Sequence, residues 1–301
     1  MPATRPLSAT RIGFLCLMVT VVGWGLNWPA MKVLLRELPP LFARGAAGAA
    51  AGAVFALAAL LLRQPLALPR RLIGRVVAAS ALNVFAWMGF ATIALRWLNV
   101  SQCALLVYTM PVWAMLLAWP IRGERPSLRA VAGLLLCMTG LWQLFGGGHL
   151  QLDREQSVGA ALALGSAVLF ALSTVALRPL IEIRPVASLA WQLSLGCLPM
   201  LLIGLAFEHP DVARLSPTGW ALMLYMTAVP MGLCYMSWFA ALRRLPPTTA
   251  SLATLVTPVI GVAAAAFALG EPLGHKELAA LMLTLAGVGL ALRRLPGSAA
   301  P

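Results

Sequence analysis

The sequence predicts an all-α integral membrane protein, with ten transmembrane helices forming two inverted five-helix repeats around a central cavity. Three observations carry this prediction. Of the 301 residues, 61% are hydrophobic and only 10% are charged, with mean hydropathy +0.88. Length alone would suggest two soluble domains, but so apolar a composition belongs in lipid. The apolar residues fall into ten runs, each near the roughly 20 residues that a membrane crossing needs. One stretch of the chain also recurs 147 positions later without a gap.

The ten runs are Ile12–Leu35, Leu41–Leu62, Val76–Leu95, Val100–Ile121, Leu128–Phe145, Val158–Leu177, Val186–Phe207, Gly219–Leu242, Thr248–Leu269 and Glu277–Leu292. Arg5 and Arg11 precede the first run in the manner of a signal peptide, yet that run exceeds the about 7–15 residues of a signal core. It also lacks a small-x-small cleavage pattern, so it reads as a retained span. Helix-breaking residues separate the runs: Pro39-Pro40, Arg63-Gln64-Pro65, Gly123-Glu124-Arg125-Pro126, Gly146-Gly147-Gly148, His209-Pro210, Pro246-Pro247 and Gly270-Glu271-Pro272. The tail Pro296–Pro301 is expected to be disordered. Cys16, Cys103, Cys137, Cys197 and Cys234 sit inside apolar runs without paired or metal-type spacing, which suits small core hydrophobes.

The repeat aligns Ala94–Trp142 with Ala241–Gly289, identical at 14 of 49 positions. Matches between Leu or Ala residues carry little weight in apolar sequence. More telling are Arg96 on Arg243, Pro111 on Pro258, Gly123-Glu124 on Gly270-Glu271 and Gly140 on Gly287. The expected boundary gives repeats 1–147 and 148–301. With the N-terminus inside, 15 Lys and Arg fall on the inner side and 7 on the outer, so both termini are expected in the cytoplasm. Five spans per copy then turn the second copy upside down relative to the first.

Gly23-Trp24-Gly25-Leu26-Asn27-Trp28, together with a Pro and a Gly-Glu pair in and after the fourth span of each copy, resembles the drug/metabolite transporter superfamily. Within it the chain is similar to the EamA-type ten-span exporters, and the closest likeness is to the YddG-type exporters of aromatic amino acids. The resemblance covers nearly the whole chain. It implies a basket of helices around a cavity, alternating access, and spans four and nine that bend, here at Pro111 and Pro258. Each of these prolines removes one backbone hydrogen bond, which makes both candidate hinges.

Polar groups within a span are costly in lipid and tend to face the bundle interior. Trp24, Asn27 and Trp28 share one helical face. Asn83 and Trp87 lie four apart, Tyr108 precedes Pro111, and Trp191-Gln192 and Tyr235 with Trp238 occupy the seventh and eighth spans. These ten residues are the candidate substrate-binding set. Serines and threonines in spans more often bond a preceding turn or a neighbouring helix.

The rings suit an organic solute with an apolar or aromatic part, and the amides suit a zwitterion. The sequence shows no Lys or Arg deep in a span, which counts against phosphorylated substrates. It has no mid-span Asp or Glu either, so proton coupling would need Glu124 or Glu271 to reach inward. His149, His209 and His275 lie apart in loops, and no catalytic, metal or nucleotide motif appears. The expectation is therefore an inner-membrane exporter of small organic solutes, amino acids including aromatic ones, and not an enzyme. No cofactor, metal or nucleic acid is expected, the partners are the substrate and the lipid bilayer, and a monomer suffices. A lipid or lipid-linked metabolite flippase of the same fold is the alternative, with an intramembrane enzyme behind it.

Overall fold

Lipid offers backbone groups no hydrogen-bond partner, so each apolar run must satisfy its own amides and carbonyls as a helix. The computed structural model describes residues 9–144, 153–177, 180, 182–246, 249–250 and 253–292, and these contain helices and no strand. The expectations for Arg5, Phe145, Gly146 to His149, Arg178, Pro247, Thr248, Arg293, Arg294 and the tail lie outside the described residues. In chain order the elements are α1 Ala9–Leu34, α2 Pro40–Leu61, α3 Arg70–Ala94, α4 Val100–Arg122, α5 Leu128–Leu144, α6 Arg154–Ala176, α7 Pro185–Glu208, α8 Pro217–Leu242, α9 Val256–Leu269 and α10 His275–Leu292. Seven of these are long and apolar enough to cross a membrane, and α5 and α9 contribute the shorter apolar stretches Val131–Leu144 and Val256–Leu269. The chain is an all-helical membrane protein. Phe14, Met18, Leu61, Phe207 and Phe267 are exposed on the outside, where the solvent is acyl chain rather than water.

Small residues set the closest helix approaches, because tight packing replaces the hydrophobic effect between helices in lipid. The two most extensive pairs are α2 with α7 and α5 with α10. Gly45, Gly48 and Gly52 of α2 face Leu201, Cys197 and Ser194 of α7, while Gly204 of α7 faces the backbone of Phe42. Between α5 and α10 the contact is reciprocal. A Cβ on Gly140 would lie 2.9 Å from the Ala280 carbonyl, and one on Gly287 would lie 2.5 Å from the Gly133 carbonyl. Shifting by 147 positions turns one of these contacts into the other. Likewise α1 packs on α9 and α8, and α6 packs on α4 and α3.

Besides the π-helical last turn of α7, Gly204–Glu208, departures from α geometry occur in α3, α8 and α4 and just before α9, at positions that the same shift relates. α3 is π-helical over Ser80–Gly89 and α8 over Val229–Leu233. In α8, Pro230 supplies no amide, so the ladder loses a bond and widens its register. In α3, Ser80 donates to the Val76 carbonyl and Thr92 to the Met88 carbonyl, diverting acceptors at each end of the widened stretch. α4 breaks into Val100–Val107 and Met110–Arg122 at Tyr108-Thr109, just before Pro111. A turn at Thr254-Leu255 precedes α9, just before Pro258. Both proline-bearing spans are therefore interrupted.

One end of the bundle carries the α1–α2, α3–α4, α7–α8 and α9–α10 connections, and polar contacts tie these together. The Ser216 amide and hydroxyl donate to the two Glu37 carboxylate oxygens, each at 2.8 Å. Glu208 accepts from the Leu41 and Phe42 amides at the start of α2. Both oxygens of Glu271 accept from the Val100 amide at 2.9 Å, capping α4. Lys32 donates to the Leu95 and Leu98 carbonyls beyond the end of α3, the second at 2.7 Å. At the other end of the bundle, Arg71 and Arg75 pair with Glu182.

Candidate functional site

A cavity of about 810 Å³ occupies the centre of the bundle. Its walls come from α1 to α4, α6 to α8 and the turn before α9, and none of its lining residues belongs to α5 or α10. Toward the Arg71–Glu182 end, exposed Arg122 and Glu124 line the cavity, so it reaches solvent there. Toward the opposite end its lining residues Leu95, Thr92 and Arg44 are buried beneath the tied connections. The structure is open at one end and closed at the other.

Nine of the ten candidate residues line this cavity: Trp24, Asn27, Trp28, Asn83, Trp87, Tyr108, Gln192, Tyr235 and Trp238. The helical spacing on α1 places Trp24, Asn27 and Trp28 together. The Trp24 ring meets Tyr235 edge-on at 5.5 Å and Trp238 at 5.7 Å, and its N–H donates to the Pro230 carbonyl. Trp28 pairs with Tyr108 at 6.3 Å and Trp87 with Phe170 at 5.4 Å. Three aromatic groups thus face one space. Trp191 stands apart, because it does not line the cavity and its ring N–H donates to the Leu66 carbonyl at 3.0 Å. It anchors the segment after α2. Pro111 lines the cavity, whereas Pro258 is buried in the packing of α9.

The polar groups sort into engaged and unengaged. Gln192 donates to Ser188 and is held there at 2.9 Å. Asn83 Oδ1 and Trp87 Nε1 are buried without a hydrogen-bond partner among the described residues, on residues that line the cavity. A buried polar atom left unmatched costs about 1–3 kcal/mol, and the π-helical stretch holds both of these residues in place. Single-turn π-bulges are frequent at functional sites.

Arg44 corrects the view that no cation lies deep in a span. It sits in the second turn of α2, is 7% exposed and lines the cavity. Its Nε donates to Thr92 Oγ1 at 3.1 Å and its Nη1 to Asn27 Oδ1 at 3.3 Å. No carboxylate pairs with it among the described residues. The sequence count had placed Arg44 and Lys32 with the outer loop charges. Arg44 is instead engaged inside the bundle, while Lys32 stays at the tied end on the Leu95 and Leu98 carbonyls, so six Lys and Arg remain on that side. Of the Gly-Glu pairs, Glu124 lines the cavity at its open mouth, and Glu271 is committed to the Val100 amide.

A cavity enclosed by membrane-spanning helices, with an aromatic lining, points to a carrier of small organic solutes. The EamA-like transporter family model matches the chain twice, over residues 11–146 and 157–293. The chain belongs to the EamA-like transporter family. It is 28% identical over 290 residues to the uncharacterized transporter YvbV of Bacillus subtilis, covering 95% of this chain and 93% of that one. It is 27% identical over 290 residues to a probable amino-acid metabolite efflux pump of Salmonella typhimurium, covering 92% and 93%. A crystal structure at 21% identity superposes with TM-score 0.65 over 94% of this chain and 96% of its own, so the two share a fold. An EamA-like transporter has a small-molecule substrate and works in a lipid bilayer.

Proposed function

We propose that this transporter exports ring-bearing or apolar amino acids across a bacterial inner membrane by alternating access. The observation that carries the reading is the aromatic lining of the central cavity, with Trp24, Tyr235 and Trp238 on one wall and Trp87 with Phe170 on another. Flat rings gain about 0.5–1.5 kcal/mol from such partners beyond the burial of their area. The likeness to an amino-acid metabolite efflux pump supports the substrate class.

Alternating access follows if the two halves are inverted copies that exchange conformations. Supporting this are the reciprocal Gly140 and Gly287 contacts, the paired π stretches and the paired interruptions before Pro111 and Pro258. The charge asymmetry supports a cytoplasmic open end, ready to load substrate for export. The test is uptake into proteoliposomes of aromatic amino acids, aliphatic amino acids and an organic cation, with and without a proton gradient. Preferential uptake of the aromatic amino acids is expected. Uptake of the cation alone would overturn the reading.

A further inference from the structure

We infer that Arg44 anchors the substrate's carboxylate, so the cavity selects carboxylate-bearing solutes over the corresponding amines. The inference rests on the functional reading above and names what that site requires. Arg44 is more than nine-tenths buried and faces the cavity. Its Nε and one Nη1 hydrogen are held by Thr92 of α3 and Asn27 of α1, which fixes the plane of the guanidinium. A guanidinium has five N–H donors. Two are engaged here, and Arg44 makes no other hydrogen bond among the described residues.

A buried cation without a counter-ion is costly in a low-dielectric interior. A static strut between α1 and α3 could be built from neutral amides at lower cost. A fork of remaining donors, held rigid and facing a solute cavity, matches the two oxygens of a carboxylate. The rings of Trp24, Trp28 and Trp238 line the same cavity and would hold the solute's side chain.

The experiment uses the purified full-length chain in proteoliposomes. Radiolabelled phenylalanine is exchanged against phenylalanine, 3-phenylpropionate, which lacks the ammonium, and phenethylamine, which lacks the carboxylate. Wild type should be competed by the two carboxylates and hardly by the amine. Arg44→Gln should lose roughly ten- to hundred-fold in apparent affinity for the carboxylates, the range expected of a charged hydrogen bond. Its affinity for phenethylamine should be unchanged or higher. Arg44→Lys, which keeps the charge without the fork, should fall between. Thermal unfolding followed by tryptophan fluorescence confirms that each variant is folded.

Unchanged phenylalanine affinity in Arg44→Gln would overturn the inference. So would an equal loss for carboxylates and amine in a folded variant, which would make Arg44 a strut. Failure of the aromatic preference proposed above looks different. Wild type would then carry no ring-bearing solute, while a preference for leucine over isopentylamine, abolished in Arg44→Gln, would still uphold the anchor. No such preference in either series would overturn the anchor.

Discussion

Among individual residues, depth in the bundle decides the consequence of a substitution. Trp87 and Trp238 line the cavity, whereas Trp220 is 55% exposed on the outer surface. Trp87→Ala and Trp238→Ala should each lower transport of aromatic substrates about tenfold or more, and Trp220→Ala should leave it near wild type. Initial rates in liposomes, at equal amounts of folded protein, check this. Glu37 gives a pH signature. The Ser216 amide and hydroxyl donate to it and hold its carboxyl below the usual carboxylate range. A carboxylate with a lowered pKa stabilises the fold above its unfolded value, and that contribution disappears as pH falls through the lowered value. Glu37→Gln should therefore flatten the acid side of a melting-temperature profile. Sequence alone could find the rings, because their spacing on a helix is a local property. It could not find Arg44. A cation one turn from Pro39-Pro40 ordinarily reaches back to the interface, and only Asn27 and Thr92, contributed by two other helices, turn it inward. Trp191 fails in the opposite sense, since its partner is a loop carbonyl that no periodicity anticipates.

For whole helices, most spans were legible to within about four residues, because hydropathy and Pro or Gly punctuation are strong signals in lipid, but α3 begins six residues before the expected Val76 and α9 eight residues after the expected Thr248. Which helices wall the cavity was not legible, and α5 and α10 stand outside it. Their role is to close on each other through Gly140 and Gly287. A Cβ at either position meets a backbone carbonyl, which cannot swing aside as a side chain could. Gly140→Ala and Gly287→Ala should each destabilise the fold by about 1–3 kcal/mol while sparing substrate affinity. A lowered melting temperature with unchanged binding is the expected pair of results. Pro111 and Pro258 should behave conversely. Both follow interruptions that loosen their spans, so replacing either with Ala restores an amide and stiffens a moving part. Turnover should fall more than affinity does, and normal turnover in both variants would reduce the prolines to static kinks.

At the scale of the whole molecule, the matched Gly-Glu pairs sit in different circumstances. Glu271 holds the Val100 amide at the closed end, beside Lys32 on the Leu95 and Leu98 carbonyls. Glu124, 147 positions earlier, lines the open mouth, and its carboxylate has no hydrogen-bond or ion-pair partner among the described residues. Such an asymmetry is expected of two equivalent latches with one engaged at a time, as alternating access demands. A carboxylate at a helix N-terminus contributes about 0.5–2 kcal/mol through the cap and the helix dipole. Glu271→Gln keeps the shape and removes the charge, so it should shift the population toward opening at that end a few-fold. The reporter is a cysteine at Leu95, a buried cavity residue beneath the latch, in a chain whose five native cysteines are replaced. A membrane-impermeant maleimide applied from outside the cell should label Leu95→Cys faster in the Glu271→Gln background. The same label should react no faster in Glu124→Gln, where the engaged latch is untouched. Equal labelling in all three backgrounds would make Glu271 a simple helix cap. Faster labelling in sealed inside-out vesicles, rather than in cells, would reverse the orientation inferred from charge.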